Sequence, residues 1–301
     1  MPQKQVRIFG VPMDLGQNRR GVDMGPSAVR YAQLHEKIQA LGYTTCDEGN
    51  IRVLQAEQDS EAQESDTNAH FLPQVTKVCQ SIYDAITNSW DEDEFGLFIG
   101  GDHSISIGTV SAVASRKNVG VLWVDAHTDM NTPETSPSGN IHGMSLAVLL
   151  GNGSPELVNL GYAGAKLKPE QVAVVGIRSV DAVERVNVNE SGIRAYTMRD
   201  IDEQGIATIA NKVLAQFADL DAIHVSFDLD SCDPSFAAGV GTPVMGGLNY
   251  REAHLLMEML ADSGKVCSMD MVEINPILDT RNQTAVIGVE MILSLLGQYI
   301  L

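Results

Sequence analysis

A repeated alternation limits how this chain can fold: a short apolar run, a stretch of helical periodicity, then another apolar run. Residues 95–99 (FGLFI), 119–124 (VGVLWV), 172–177 (VAVVGI) and 222–229 (AIHVSFDL) are almost continuously apolar. A strand with one face in water alternates apolar with polar residues, whereas a strand buried on both faces does not. Such runs separated by helices predict an α/β chain with a mainly parallel sheet covered on both sides. Residues 6–11, 193–196 and 267–274 supply further strands. Helices are expected at 26–41, 72–88, from Ser104 to 113, and at 206–217, 250–261 and 282–296, with a helix-like segment at 142–150. In the first of these, Pro26 suits an opening turn, and Ala28, Tyr31, Leu34, Ile38 and Leu41 recur at helical spacing. Residues 12–25 and 130–141 read as long loops, 52–68 as an acidic surface connection, and 90–94 as a solvated acidic turn. No repeat or boundary divides the chain, so residues 1–301 are expected to form one domain.

In open parallel sheets, ligands bind beyond the carboxyl ends of the strands. Four of the runs end there in acids or histidines: Asp102 with His103, Asp125 through Asp129, Asp228 with Asp230, and Glu273. One such ending is ordinary turn chemistry; four together are not. Side chains alternate faces in an extended chain, so Asp125, His127 and Asp129 point the same way. By itself that segment has two readings: a metal site, or a strand-end loop whose histidine is satisfied by hydrogen bonds. Taken with the other strand ends, it becomes a set of six: His103, Asp125, His127, Asp129, Asp228 and Asp230. Four carboxylates balance two divalent cations, and oxygen-rich ligation without thiolate suits Mn or Mg better than a structural zinc. Six side chains serve two ions only if some carboxylates bridge, which sets the ions roughly 3.5–4 Å apart. The chemistry this implies is metal-assisted hydrolysis, with the substrate left open.

Composition narrows the partners. A net charge of -19 and a pI near 4.6 exclude nucleic acid and anionic membrane as partners and leave room for a small cation. Cys46, Cys79, Cys232 and Cys267 are scattered, without a C-x-x-C pair, and read as free thiols in a reducing compartment. Residues 1–10 lack an apolar signal core, and no apolar run approaches membrane-spanning length, so a cytoplasmic protein is expected. Among the remaining histidines, His142 sits in a glycine-bounded loop, 138–143, where its ordinary pKa suits proton transfer. His35, His70, His224 and His254 read as structural or solvated, Cys232 as a packed thiol, and Arg19 and Arg20 as loop salt-bridge partners.

Three motifs carry a resemblance to the ureohydrolase superfamily: Gly100-Gly101-Asp102-His103-Ser104, Asp125-Ala126-His127-Thr128-Asp129 and Ser226-Phe227-Asp228-Leu229-Asp230. The opening segment 10–26, the loop 136–144, and residues 239–244 and 272–276 are similar to the bacterial arginases within it. The resemblance spans nearly the whole chain. It implies a three-layer α/β/α arginase fold with an eight-stranded sheet and two Mn2+ per subunit. His103, Asp125, Asp129 and Asp228 would hold one ion, and Asp125, His127, Asp228 and Asp230 the other. It further implies attack of a metal-bridging hydroxide on the guanidinium of L-arginine, giving L-ornithine and urea. Asp129 would orient the hydroxide, His142 would shuttle protons and Glu273 would pair with the guanidinium. Asn131, Ser138 and Asn140 would read the substrate's carboxylate, Asp181 and Glu184 its ammonium, and Thr242 would line the same pocket. Family members are homotrimers or homohexamers. Ala182-Val183 departs from the commoner pattern and leaves the shape of the ammonium loop open, while Asn18 departs from it in the first loop with little effect expected. The alternatives are an agmatinase or another guanidino-acid hydrolase, or a catalytically silent binding protein with the same fold.

Overall fold

The computed structural model describes residues 5–55 and 68–299. Its strands are β1 (Gln5–Val11), β2 (Thr44–Asn50), β3 (Phe95–Gly100), β4 (Val119–Val124), β5 (Val172–Ile177), β6 (Arg194–Thr197), β7 (Ala222–Asp228) and β8 (Val266–Val272). The helices are α1 (Gly25–Tyr31), α2 (Leu34–Ala40), α3 (Leu72–Ser89), α4 (Ile105–Ala114), α5 (Ser145–Leu149), α6 (Pro155–Val158), α7 (Ala182–Ser191), α8 (Met198–Gln204), α9 (Ile206–Gln216), α10 (Tyr250–Ser263) and α11 (Gln283–Leu295). The strands form one sheet in the order β2-β1-β3-β8-β7-β4-β5-β6, paired in parallel throughout. The four strands that end in acids or histidines, β3, β8, β7 and β4, are the four at its centre. Among the described residues no helix is long and apolar enough to cross a membrane.

The period-two geometry of strands produces two cores, one on each face. In β4, Leu122 and Val124 join the core under α1, α2, α9, α10 and α11, while Val121 and Trp123 join the core under α3, α4 and α5. The result is the three-layer α/β/α arrangement. α4 is buried on every side from Ile105 to Val113, which is why it shows almost no amphipathic pattern.

The structure corrects several expectations. The edge strand β2 was not foreseen, because Thr44–Asn50 (TTCDEGN) is half-exposed and has no apolar alternation to read. The helix expected at 26–41 is two helices, separated at Ala32 and Gln33, where Gln33 takes φ 66°. α6, α7 and α8 were also unforeseen. They are short, and α7 and α8 are set by caps: Asp181 for α7, and the reciprocal Thr197–Asp200 pair for α8. The segment at 90–94 is a turn with Asp91, Glu92 and Asp93 exposed, as expected, but its two ends are held in the fold. Trp90 is buried edge-on to Phe98, and Glu94 forms a two-pronged ion pair with Arg7. Of the acidic connection at 52–68, residues 56–67 lie outside the described residues.

Gly101 joins three central segments. Its N–H donates to Val11 O, its carbonyl accepts from Glu273 N, and Asp102 N donates to Met13 O beside it. A Cβ at position 101 would lie 1.8 Å from the Met13 carbonyl oxygen, a backbone atom with little freedom to move. Gly101→Ala should therefore cost about 3 kcal/mol or more of stability. Chemical denaturation measures this, and an unchanged midpoint would contradict the close approach.

Candidate metal centre

β4 delivers Asp125 at its carboxyl end, and Trp123, two residues earlier, organises what surrounds it. The Trp123 ring stacks on the His103 imidazole, with centroids 4.0 Å apart and planes 11° from parallel. Its Nε1–H donates to Asp125 Oδ2 at 3.0 Å. One side chain thereby orients two candidate ligands from different strands. Beyond Asp125 the chain turns sharply. Asp129 has φ 51°, and Glu273, at the end of β8, has φ 64°. Non-glycine residues in this region cost of order 1–3 kcal/mol each and persist where surrounding contacts impose them.

The six candidate ligands form two overlapping groups. His103 Nδ1 lies 3.1 Å from Asp125 Oδ2, 3.1 Å from Asp129 Oδ2 and 3.3 Å from Asp228 Oδ2. His127 Nδ1 lies 3.4 Å from Asp125 Oδ1 and 3.1 Å from Asp230 Oδ2. Asp125 offers one oxygen to each group. Within each of the sets His103–Asp125–Asp129 and Asp125–His127–Asp230, the ligand atoms lie within 4.8 Å of one another. Backbone donors fix the carboxylates: His127 N to Asp125 Oδ1, Asp230 N to Asp228 Oδ1, and Ala126 N to Asp230 Oδ1.

So many buried carboxylates repel one another. Burial, then the charge of Asp125, pushes Asp129 up to about 7. Burial, then Asp230 and Asp125, raises Asp228 well above the carboxylate range. Burial alone would depress His127, but Asp230 and Asp125 outweigh it and lift it to about 12. The metal-free cluster thus gathers protons where positive charge is needed. His103 Nδ1 and Asp129 Oδ2 are buried, face each other and lack a hydrogen-bond partner. Oxygen-rich donors, two imidazoles and buried atoms left unpaired fit divalent cations. Cations there would displace the protons, so their binding weakens as the medium becomes acidic.

Above this cluster opens a cavity of about 190 Å³. His127, Asp129, Asp228 and Asp230 reach its surface. Asn131, Ser138, Asn140, His142, Asp181, Glu184 and Thr242 are among the other residues that line it. His103, Asp125 and Glu273 are not part of its lining. Several lining groups are already engaged. Asp181 Oδ1 accepts from Val183 N and Glu184 N as the cap of α7, and its Oδ2 accepts from Asn131 Nδ2 at 2.9 Å. Glu184 Oε1 accepts from Thr128 Oγ1 and Met130 N. Ala182-Val183, the departure from the family pattern, therefore forms the first turn of a helix. Thr242 Oγ1 donates to Asp230 Oδ2 at 2.7 Å, tying a cavity wall to a candidate ligand.

Glu273 is fully buried behind His142. Its Oε1 lies 3.1 Å from His142 Nδ1 and accepts from His103 N, and its Oε2 accepts from Gln17 Nε2 at 2.9 Å. Burial would lower the His142 pKa, but the Glu273 carboxylate outweighs it and raises it to about 9. Asp102, which follows the same strand as His103, does a different job: it accepts from Gly16 N and Ser104 N, latching the first loop to β3. Sequence reasoning passed over Gln17 and Trp123. Trp123 had a readable signal, being two residues before Asp125 on the same strand face; Gln17 had none.

Fold and site together define an α/β/α protein with a candidate metal centre, whose acids and imidazoles converge over four central parallel strands. A family model described as "Arginase family" matches residues 4–297, and the chain belongs to that family. It is 49% identical to an arginase of Bacillus subtilis (strain 168) over 300 residues, 99% of each chain. The structure of the arginase from Bacillus caldovelox superposes with a TM-score of 0.95 at 46% identity, covering 99% of this chain and 100% of that one. An Entamoeba histolytica arginase in complex with L-ornithine gives 0.90 at 33% identity, covering 99% of this chain and 100% of that one.

Proposed function

We propose that this chain hydrolyses L-arginine to L-ornithine and urea with two manganese ions. The observation that carries the reading is the sharing of Asp125 between two ligand groups beneath a cavity walled by neutral donors and an acidic pair. His103, Asp125, Asp129 and Asp228 would hold one ion, and Asp125, His127, Asp228 and Asp230 the other. When bound, the ions supply Lewis acidity and lower the pKa of water toward neutrality.

The protein's own groups supply the remainder. Asn131, Ser138 and Asn140 suit a carboxylate, to which amides and hydroxyls donate without bringing a charge of their own. Asp181 and Glu184 suit an ammonium. Asp129, at the cavity floor, is placed to accept a hydrogen bond from the attacking hydroxide and so orient it. His142 has Nδ1 committed to Glu273, so its other ring nitrogen is the one free to exchange protons in the cavity. Glu273 anchors that imidazole and sets a carboxylate close behind it, where a guanidinium gains from the charge. The same reading makes the protein a cytoplasmic homotrimer or homohexamer, which sedimentation of the full chain distinguishes.

The test is urea release from L-arginine, agmatine and guanidinobutyrate after loading with Mn2+. L-Arginine should be turned over fastest. Faster turnover of agmatine would mean that the neutral donors do not read a carboxylate, and no turnover of any guanidino compound by the metal-loaded protein would favour the silent binding protein.

A further inference from the structure

Beneath the candidate metal centre lies a polar network that the proposed reaction does not use. Asp270, on β8, is completely buried. Its Oδ2 accepts from Ser106 Oγ at 2.7 Å and Thr109 Oγ1 at 2.9 Å, both on α4, and lies 3.3 Å from Ser226 Oγ on β7. Ser226 Oγ is also 3.1 Å from Ser106 Oγ and 2.9 Å from His103 Nε2. His224 sets Nε2 3.2 Å from the same Asp270 oxygen and Nδ1 2.9 Å from Ser268 Oγ. A buried carboxylate thus sits two hydrogen bonds from the imidazole that faces Asp125, Asp129 and Asp228.

The polarity of this network is determined by what each group is able to do. A carboxylate only accepts, so Ser106 and Thr109 donate to Asp270. Ser106 has then spent its proton, and the Ser226 hydroxyl must direct its own toward Ser106 or Asp270. The lone pairs of Ser226 are left facing His103, so Nε2 carries a hydrogen and donates it. That leaves Nδ1, on the ligand side, with its lone pair available. Hydrogen bonds polarised toward an anion strengthen one another in a low-dielectric interior. Metal-bound imidazoles commonly donate their other N–H to an oxygen acceptor, which fixes ring orientation and basicity.

We propose that Asp270 is a positioning residue for the metal centre: through Ser226 and Ser106 it dictates which nitrogen of His103 faces the ion, and so strengthens the binding of that ion. The inference rests on the reading of His103 as a ligand. Asp270 itself touches no candidate ligand, so its action is confined to the ion that His103 serves. His127 and Asp230 are outside the relay.

The test is a Mn2+ titration of the metal-free full chain, followed by the electron paramagnetic resonance of free and bound Mn2+, for the wild type and three variants. Ser226→Ala removes the acceptor for His103 and should weaken one ion roughly 10–100-fold while the other keeps its affinity. Turnover should then recover at excess Mn2+ with KM for L-arginine unchanged. Asp270→Asn keeps an acceptor oxygen but loses the charge, and should fall between wild type and Ser226→Ala. Ser294→Ala is the control, since it removes a buried hydroxyl 2.8 Å from a different buried imidazole, His254 Nδ1, outside the network. It should leave both affinities untouched. Wild-type affinities in Ser226→Ala or in Asp270→Asn, equal weakening of both ions, or an equal loss in Ser294→Ala would each overturn the proposal. If Asp270→Asn does not fold, Ser106→Ala takes its place: it removes the hydroxyl between Asp270 and Ser226 and should weaken the same ion, and wild-type affinity in it would likewise overturn the proposal. A wild type that binds no ion would sink the metal reading itself, an outcome distinct from these.

Discussion

Replacing Asp125 with Ala should empty both candidate cation positions and end urea production in one step. Asp125 is the side chain with an oxygen in each ligand group, so its loss does not leave one ion intact as the loss of His127 would. Urea release should fall at least about 10⁴-fold, most of the acceleration that a metal-dependent hydrolase provides. Asp228→Ala should behave similarly, because the proposed assignment gives Asp228 to both ions: its Oδ2 lies 3.3 Å from His103 Nδ1, and it reaches the cavity beside Asp230. The discriminating measurement is metal content after dialysis, read beside thermal stability. The metal-free Asp125→Ala protein should stay folded: it loses the attraction of Asp125 to His103 and His127, but the repulsion that Asp125 exerts on Asp129, Asp228 and Asp230 goes with it. Retention of two tightly bound ions in either variant would refute the sharing of these carboxylates.

The second large effect concerns His142. Its imidazole lines the cavity and contacts no candidate metal ligand at hydrogen-bond distance, its Nδ1 being directed to Glu273. His142→Asn should lower turnover by about 10²–10⁴-fold, the range of general acid–base catalysis, with metal content unchanged. A parallel loss of metal would give His142 a structural role instead. The same variant has a pH signature in the metal-free protein. The folded-state pKa of His142 is raised from its ordinary 6.5 to about 9. A raised histidine contributes stability that is fully present below about 6.5 and disappears as pH climbs through about 9. The difference in melting temperature between wild type and His142→Asn should be greatest near pH 6 and close by about pH 9. A gap that widened with pH would reverse the sign and dismiss the Glu273–His142 pair as its cause.

Much of the fold was legible because both-face burial writes itself into a strand as an unbroken apolar run. The strands at 119–124, 172–177 and 222–228 were therefore read nearly to the residue. β2 was not, since an edge strand with half-exposed, polar residues leaves no pattern. α7 and α8 escaped for a related reason: caps rather than a long apolar stripe determine where they start. The ligand set was legible because acids and histidines at successive strand ends are expensive to bury without a purpose.

The residues alone thus determined the class of fold, the six candidate ligands and the kind of chemistry they suit. The tertiary structure decided which strands are neighbours, and with that how the ligands divide. The chain order separates β3, β4, β7 and β8, and parallel crossovers bring them together as β3-β8-β7-β4. That juxtaposition made Asp125 common to two groups and set Trp123 against His103. It also placed Glu273 behind His142 and buried Asp270 beneath Ser226. None of these pairings has a local signature in sequence, because contacts between different segments, from the Trp123–His103 stack to the Glu273–His142 pair 131 positions apart, depend on register and crossover geometry, which local propensity does not encode.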